Sequence, residues 1–258
     1  MNITDFKMDV FSLSGKNAIV TGGNTGLGQA FSLALAKAGA SVVMPSITPD
    51  DQAFNALIEA ESVRAVYLEA DLTKPKVPKQ VVRHCVDTLG SVDILVNSAG
   101  VCINKNFSEY GRTEWDPMVA INLTAAFEMS REVANYFIEQ RSGKIVNICS
   151  LYSFLGGRRS PAYAATKHGI VGLTKAFCDE LAQYNVQVNG IAPGYFKTKL
   201  VEETMRDPER NGWIVDHTPE GRLGDIYDLM GATVFLASRA SRFVNGHILA
   251  VDGGFLSR

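Results

Sequence analysis

The sequence, 258 residues long, lacks most of the marks of a metal-binding, secreted or polyanion-binding protein. Its four cysteines, Cys85, Cys102, Cys149 and Cys178, form no C-x-x-C pair and have no histidine ladder beside them, so neither a zinc site nor a disulfide framework is expected. Buried free thiols in a reducing compartment are the reading these spacings favour. The four histidines, His84, His168, His217 and His247, are scattered and suggest no metal. Neither sign of charge is in excess: 25 basic and 27 acidic side chains leave a net charge of −2, which speaks against nucleic acid or an anionic membrane as a partner. No run approaches the roughly 18 apolar residues of a membrane helix. The first seven residues carry acid close to their only base and no apolar stretch, so no secretory signal is expected and a soluble, cytoplasmic protein is.

A 46% hydrophobic share is too high for disorder. Short β-branched runs recur at 18–20, 41–44, 65–68, 94–96, 145–148, 186–191 and 248–251, too far apart for hairpins. Between them the spacing turns helical: 27–38 places Phe31, Leu35 and Ala38 on one stripe, and 115–140 is long enough for several turns. Strands apolar on both faces, alternating with helices, predict a seven-stranded parallel sheet covered on both sides, a doubly wound Rossmann-like α/β fold in a single domain. The least regular stretch, 195–225, is polar, carries Pro208 and Pro219, and follows a strand. Ligands of such sheets sit beyond the carboxyl ends of the strands, so this stretch is expected to be a substrate lid.

After the first strand the chain reads T-G-G-N-T-G-L-G, residues 21–28. Gly22 allows a tight turn, Gly26 lets the backbone approach a pyrophosphate, and Gly28 lets the following helix pack close to the strand. An acid about 20 residues on would grip the ribose of NAD. That slot is Ser46, which is neither acid nor base. With no basic group in the slot to hold the extra phosphate of NADP, NAD is the expected cofactor, with NADP the alternative.

Tyr163 and Lys167, in P-A-Y-A-A-T-K-H-G, stand i and i+4 on a helix and so share a face. A cation about 4 Å from a phenol, at an effective dielectric near 20, favours the phenolate by about 4 kcal/mol, or about 3 pKa units. A second such spacing, Tyr195 and Lys199, follows Pro193 and Gly194 in a loop, where no shared face is guaranteed. Ser150, thirteen residues before Tyr163, ends the apolar strand K-I-V-N-I-C-S and would lie at the carboxyl edge of the sheet. Strand alternation would point Cys149 to the opposite face.

The G-x-x-x-G-x-G spacing, Asp71 and Leu72 after the third strand, N-S-A-G at 97–100, and the serine, tyrosine and lysine set together resemble the short-chain dehydrogenase/reductase family. Ser98 stands where that family usually has asparagine. The resemblance spans nearly the whole chain, as far as V-D-G-G at 251–254. It implies hydride transfer between a nicotinamide dinucleotide and a secondary alcohol or ketone. Tyr163 would be the general acid/base, Ser150 would bind the substrate oxygen, Lys167 would lower the tyrosine pKa and hold the ribose, and Asn122 would position a water. Thr21, Gly22, Asn24, Gly26, Leu27 and Gly28 would surround the dinucleotide, joined by Ser46, Asp71 and Leu72, by Asn97, Ala99 and Gly100, by Tyr163 and Lys167, and by Pro193, Gly194 and Thr198. Thr25, just before the second glycine, occupies a place where NADP-using members often carry a base. Phrases such as S-F-L-G-G and V-N-G-H-I-L-A-V-D-G-G resemble the sugar-acid branch, the deoxygluconate dehydrogenases, and the family implies a homotetramer. A 3-oxoacyl carrier-protein reductase would want a basic patch, and none is evident; a dinucleotide sensor without turnover would not need the intact catalytic set. Arg158 and Arg159 lie between the serine and the tyrosine, and Arg159 is the expected partner of a substrate carboxylate.

Overall fold

The computed structural model describes residues 6–198, 201 and 205–258. Residues 1–5 of the N-terminal segment, Lys199 of the second tyrosine–lysine spacing, and 200 and 202–204 of the 195–225 stretch lie outside the described residues.

Seven strands form one sheet: β1 (Asn17–Val20), β2 (Ser41–Ser46), β3 (Ala65–Glu69), β4 (Ile94–Asn97), β5 (Gly143–Ile148), β6 (Val186–Pro193) and β7 (Ile248–Val251). Their spatial order is β3-β2-β1-β4-β5-β6-β7 and every pairing is parallel. The helices between them are α1 (Leu27–Lys37), α2 (Gln52–Glu59), α3 (Val77–Leu89), α4 (Arg112–Val119), α5 (Ala125–Gln140), α6 (Pro161–Leu181), α7 (Pro208–His217) and α8 (Tyr227–Ala237). Alternate residues of one strand feed two cores, as the pleat requires. Val42 and Met44 pack with Phe31 and Leu35 of α1 and Leu229 and Leu236 of α8. Val43, with Ile19 and Leu95, packs with Val81 of α3 and Met129, Val133 and Phe137 of α5. This is the doubly wound Rossmann-like fold expected from the alternating runs.

Two local readings need correction. The stretch around Pro208, expected to be irregular, contains α7: Asp207 caps its N-terminus by accepting from the amides of Glu209 and Arg210, and Pro208 takes the first helical position, where its missing N–H costs nothing. The 115–140 stretch is helical but starts earlier, at Arg112, and between α4 and α5 runs through a π turn, Ala120–Thr124, that contains Asn122. One inserted residue widens the coil there, a feature common at functional positions.

The chain reverses its strand order between β1 and β4, and the glycine turn sits at that reversal. Gly22 has φ +65° and Gly26 φ +54°. A Cβ on Gly28 would lie 2.1 Å from the carbonyl oxygen of Gly22, a backbone atom that no rotamer change moves aside. Gly28→Ala should therefore lower stability by about 1–3 kcal/mol, the usual cost of overpacking, read as a fall in the thermal midpoint followed by circular dichroism. An unchanged midpoint would mean that α1 does not seat against the turn as described.

Candidate active site

The turn at the β1–β4 reversal is closed by the chain itself. Thr21 Oγ1 accepts from the amides of Ser98 and Ala99, both at 2.9 Å, and so ties the end of β1 to the residues after β4. The amide of Gly22 donates to Pro45 O at 2.8 Å. Asn24 is buried and its Nδ2 donates to the carbonyls of Thr48 and Pro49, which shapes the loop after β2. Gly26 precedes α1 with no side chain capping the helix, and a Cβ on it would meet nothing within 4 Å. The first-turn amides, beginning at Leu27, are thus left to an anion, with the positive end of the helix dipole behind them. An open glycine cradle, an uncapped helix and the unpartnered buried Oδ1 of Asn24 fit a dinucleotide pyrophosphate and its neighbouring ribose.

Several residues expected at this end serve the chain first. Ser46 Oγ accepts from the amide of Thr48 at 3.0 Å. Asp71 accepts from the amide and hydroxyl of Thr73 at 3.0 and 2.6 Å, and those bonds hold its carboxyl below the usual range. The Leu72 side chain is 6% exposed and lies in the α3/α5 core, so only its main chain can face a ligand. Asn97 Nδ2 donates inward, to Ser130 Oγ and Asn147 Oδ1. Asn147 in turn donates to Thr174 on α6, a buried polar ladder behind the site. Ala99 stands beside Gly22, where an added Cβ would come 3.4 Å from the Ala99 Cα.

The catalytic end is assembled by α6. Its N-cap, Ser160, is fully buried and donates to Ile103 O at 3.0 Å, and Pro161 opens the first turn. Tyr163 and Lys167 follow one turn apart, with Lys167 Nζ 5.5 Å from the centroid of the tyrosine ring. Nζ donates to Ile148 O at the end of β5, 2.6 Å away, which leaves two of its three N–H groups for other partners. Ser150 follows β5 and caps the next turn, its Oγ accepting from the amide of Tyr152 at 3.2 Å. Ser153 donates to Lys167 O at 2.9 Å and so fastens that turn to α6. Asn122 clasps Val101 through both its backbone amide and its carbonyl, each at 2.8 Å. A Cβ on Gly100 would sit 3.0 Å from Asn122 Oδ1 and 4.0 Å from Lys167 Nζ, so these three residues meet at one point. Gly194 presses on β7, where its Cβ would come 2.7 Å from the Cα of Asp252, and Pro193 ends β6 beside it. Thr198 is half-buried and accepts from the amide of Val201.

The electrostatics differ from expectation. Burial pushes the Tyr163 phenol upward, the nearby thiol of Cys102 adds to this, and only its hydrogen bond with Ser150 opposes it. Burial also lowers the Lys167 ammonium. For both groups the loss of solvent around the charged form is the largest cause. The phenol is therefore protonated at pH 7.

Other readings are refined. Cys85 and Cys149 are buried, whereas Cys102 and Cys178 are half-exposed. Cys149 lies beside Ser153 and in the field of Lys167, and burial pushes its thiol up to about 11. It packs with Ala126 of α5 and Ile170 of α6, the side on which Asn147 also bonds α6, so strand alternation carries one residue beyond β5. Arg158 and Arg159 are exposed; Arg159 is held at φ +66°, its carbonyl accepting from the amide of Lys105. Trp213 packs on His217 and Phe255, with centroids 4.0 and 6.1 Å away. Sequence reasoning missed Tyr152, whose ring meets Tyr163 edge-on at 5.9 Å, and Arg210 on α7, whose charge reaches Cys102 and Tyr195. The Asp-Pro pair at 207–208 was the available signal for the second.

An anion cradle and a proton-donating phenol open on the same edge of a parallel sheet, an arrangement that serves an oxidoreductase acting on CH–OH groups. The sequence profile of the family described as short chain dehydrogenase matches residues 16–209. The chain is 54% identical over 257 residues to the uncharacterized oxidoreductase YgcW of Escherichia coli (strain K12), covering 100% of this chain and 98% of that protein. It is 42% identical over 252 residues to the 2-dehydro-3-deoxy-D-gluconate 5-dehydrogenase of the same strain, covering 97% and 99%. A solved structure from Agrobacterium tumefaciens, described as a candidate 2-deoxy-D-gluconate 3-dehydrogenase with bound NADP, superposes with a TM-score of 0.90 at 42% identity, covering 96% and 99%. The chain belongs to the short-chain dehydrogenase/reductase family, and its chemistry is that of an NAD(P)-dependent oxidoreductase.

Because burial raises the Tyr163 phenol, the enzyme without dinucleotide should show no Tyr163 ionisation at or below about pH 10, the ordinary tyrosine value. Ultraviolet difference spectra of wild type against Tyr163→Phe over an alkaline titration measure this. A phenolate band near neutrality that is lost in the variant would contradict it.

Proposed function

We propose that this enzyme interconverts a secondary hydroxyl and a ketone on a sugar acid of the deoxygluconate type. The convergence of Ser150, Tyr163 and Lys167 at the carboxyl edge of the sheet carries the reading, and the sugar-acid names borne by its relatives support the substrate class. The bound nicotinamide supplies or accepts the hydride. In the reductive direction Tyr163 gives its proton to the substrate oxygen, and in the oxidative direction it takes the proton back. Ser150 donates to the same oxygen and holds it in place. Lys167, fixed by Ile148 O, turns its remaining N–H groups toward the ribose and the phenol. Asn122, held against Val101 and near Gly100 and Lys167, positions a relay water. At the adenosine end the first-turn amides from Leu27 receive the pyrophosphate, and Asp71, Leu72, Asn97, Ala99 and Gly100 line the crevice. Pro193, Gly194 and Thr198 border the nicotinamide. The 195–225 stretch, with α7, is the substrate lid.

For the cofactor we infer a preference for NAD. Ser46 pairs in register with Glu69, and the upward push on the Tyr67 phenol comes after burial from Glu69 and Asp50. Two carboxylates near the ribose slot and no partnering base disfavour an added phosphate. A homotetramer belongs to the same reading: Phe127 of α5 and Phe177 of α6 stack at 6.0 Å on the outer helical face, with Phe127 37% exposed.

The deciding assay follows reduced nicotinamide absorbance with both dinucleotides against sugar acids, polyols and acetoacetyl thioesters. Turnover should be greatest with sugar acids, and a preference for the thioesters would assign the chain to carrier-protein reduction instead. Tyr163→Phe should lower kcat by about 10²–10⁴-fold; full activity in the variant would point to a different acid/base. NADH should bind more tightly than NADPH, and a tenfold (~1.4 kcal/mol) advantage for NADPH would reverse the cofactor assignment.

A further inference from the structure

Helix α7 carries a charge that the catalytic set does not use. Its inward face is marked by Ile214, 1% exposed, and by Thr218 just beyond its end, whose hydroxyl donates to Ile214 O. Arg210 stands four residues before Ile214 and three before Trp213, on the same side of the helix one turn nearer its start. A row of rings ties this helix to the catalytic tyrosine. Trp213 packs on Phe255, Phe255 lies 5.5 Å from Tyr195, Tyr195 lies in the field of Tyr152, and Tyr152 meets Tyr163.

Arg210 is half-buried, and its guanidinium makes no hydrogen bond or ion pair among the described residues. Arg222, on the same stretch, is held by Glu220 and Asp228. A cation partly withdrawn from water and left without an anion is costly unless a ligand supplies one. The field of Arg210 falls on Tyr195 and Cys102, and Cys102 in turn touches Ser160, the cap of the helix that carries Tyr163. Arg210 is thus near Tyr195 and Cys102, on the inward side of α7 and at the same edge of the sheet as Tyr163. Arg159, the cation expected from sequence, stands in solvent, where an ion pair contributes little.

We propose that Arg210 is the specificity-determining residue of this enzyme, receiving the substrate carboxylate in a bidentate fork while the reacting carbon lies between Ser150 and Tyr163. The inference rests on the sugar-acid reading above. It makes the lid, not the loop between the serine and the tyrosine, the part of the chain that selects an acid over its neutral analogue.

The test compares wild type, Arg210→Met and Arg210→Lys, each as the full chain, on two pairs of alcohols: D-gluconate with D-glucitol, and 2-deoxy-D-gluconate with 2-deoxy-D-glucitol. Members of a pair differ only by a carboxylate in place of a hydroxymethyl group. Arg210→Met should raise KM for the acids by about 10- to 100-fold, the worth of a charge-assisted pair, and leave kcat/KM for the alditols and the Kd of NADH unchanged. Arg210→Lys, which keeps the charge and loses the fork, should fall between. An equal loss on acids and alditols overturns the proposal, since a merely structural arginine would act on both. A KM effect that follows Arg159→Met and not Arg210→Met also overturns it. If wild type prefers neither acid over its alditol, the sugar-acid reading itself fails; if it prefers the acids and Arg210→Met is silent, only the role of Arg210 fails.

Discussion

The structure depends on the reversal of strand order between β1 and β4. Helices leave in opposite directions there, so the two strand ends splay and open a crevice that neither core can fill. The chain keeps that crevice at a fixed width with small groups. The Thr21 hydroxyl bridges to the amides after β4, Gly28 presses on Gly22, and Gly22 donates to the end of β2. Each contact is a backbone approach that a larger side chain would prevent, which is why glycines and one short hydroxyl residue crowd the turn.

At the other end of the crevice stand two buried titratable groups. Lys167 spends one donor on Ile148 O, and Tyr163 keeps its proton. Desolvation governs both, raising the phenol and lowering the ammonium. The polar ladder of Asn97, Asn147 and Thr174 fixes α6 to the sheet behind them, so Tyr163 and Lys167 ride on a helix whose depth is set by hydrogen bonds as well as by packing.

The sheet was legible in the chain because parallel strands are buried on both faces, and their β-branched runs stand out whatever surrounds them. Their ends were not. β2 continues through Pro45, a residue that argues against a central strand, because its pairing with β1 has already stopped at Val43 and only β3 remains as a partner. Tyr163, Lys167 and Ser150 could be found by spacing, since helix and strand geometry fix where they point. Tyr152 and Arg210 could not. One lies on a short turn and the other on a helix whose polar sequence has no apolar period strong enough to announce it. The π turn at Asn122 was hidden for a related reason: one extra residue in a coil shifts every later side chain by a fraction of a turn, which an apolar pattern tolerates.

The rings of Trp213, His217, Phe255 and Tyr195 have a mechanical consequence. Phe255 belongs to the segment after β7, and Arg258 there donates to Asp216 O at the end of α7. α7 cannot swing outward alone: it must either part from Phe255 or carry that segment with it. The position of α7 is thus tied to residues that lie beyond the last strand of the sheet.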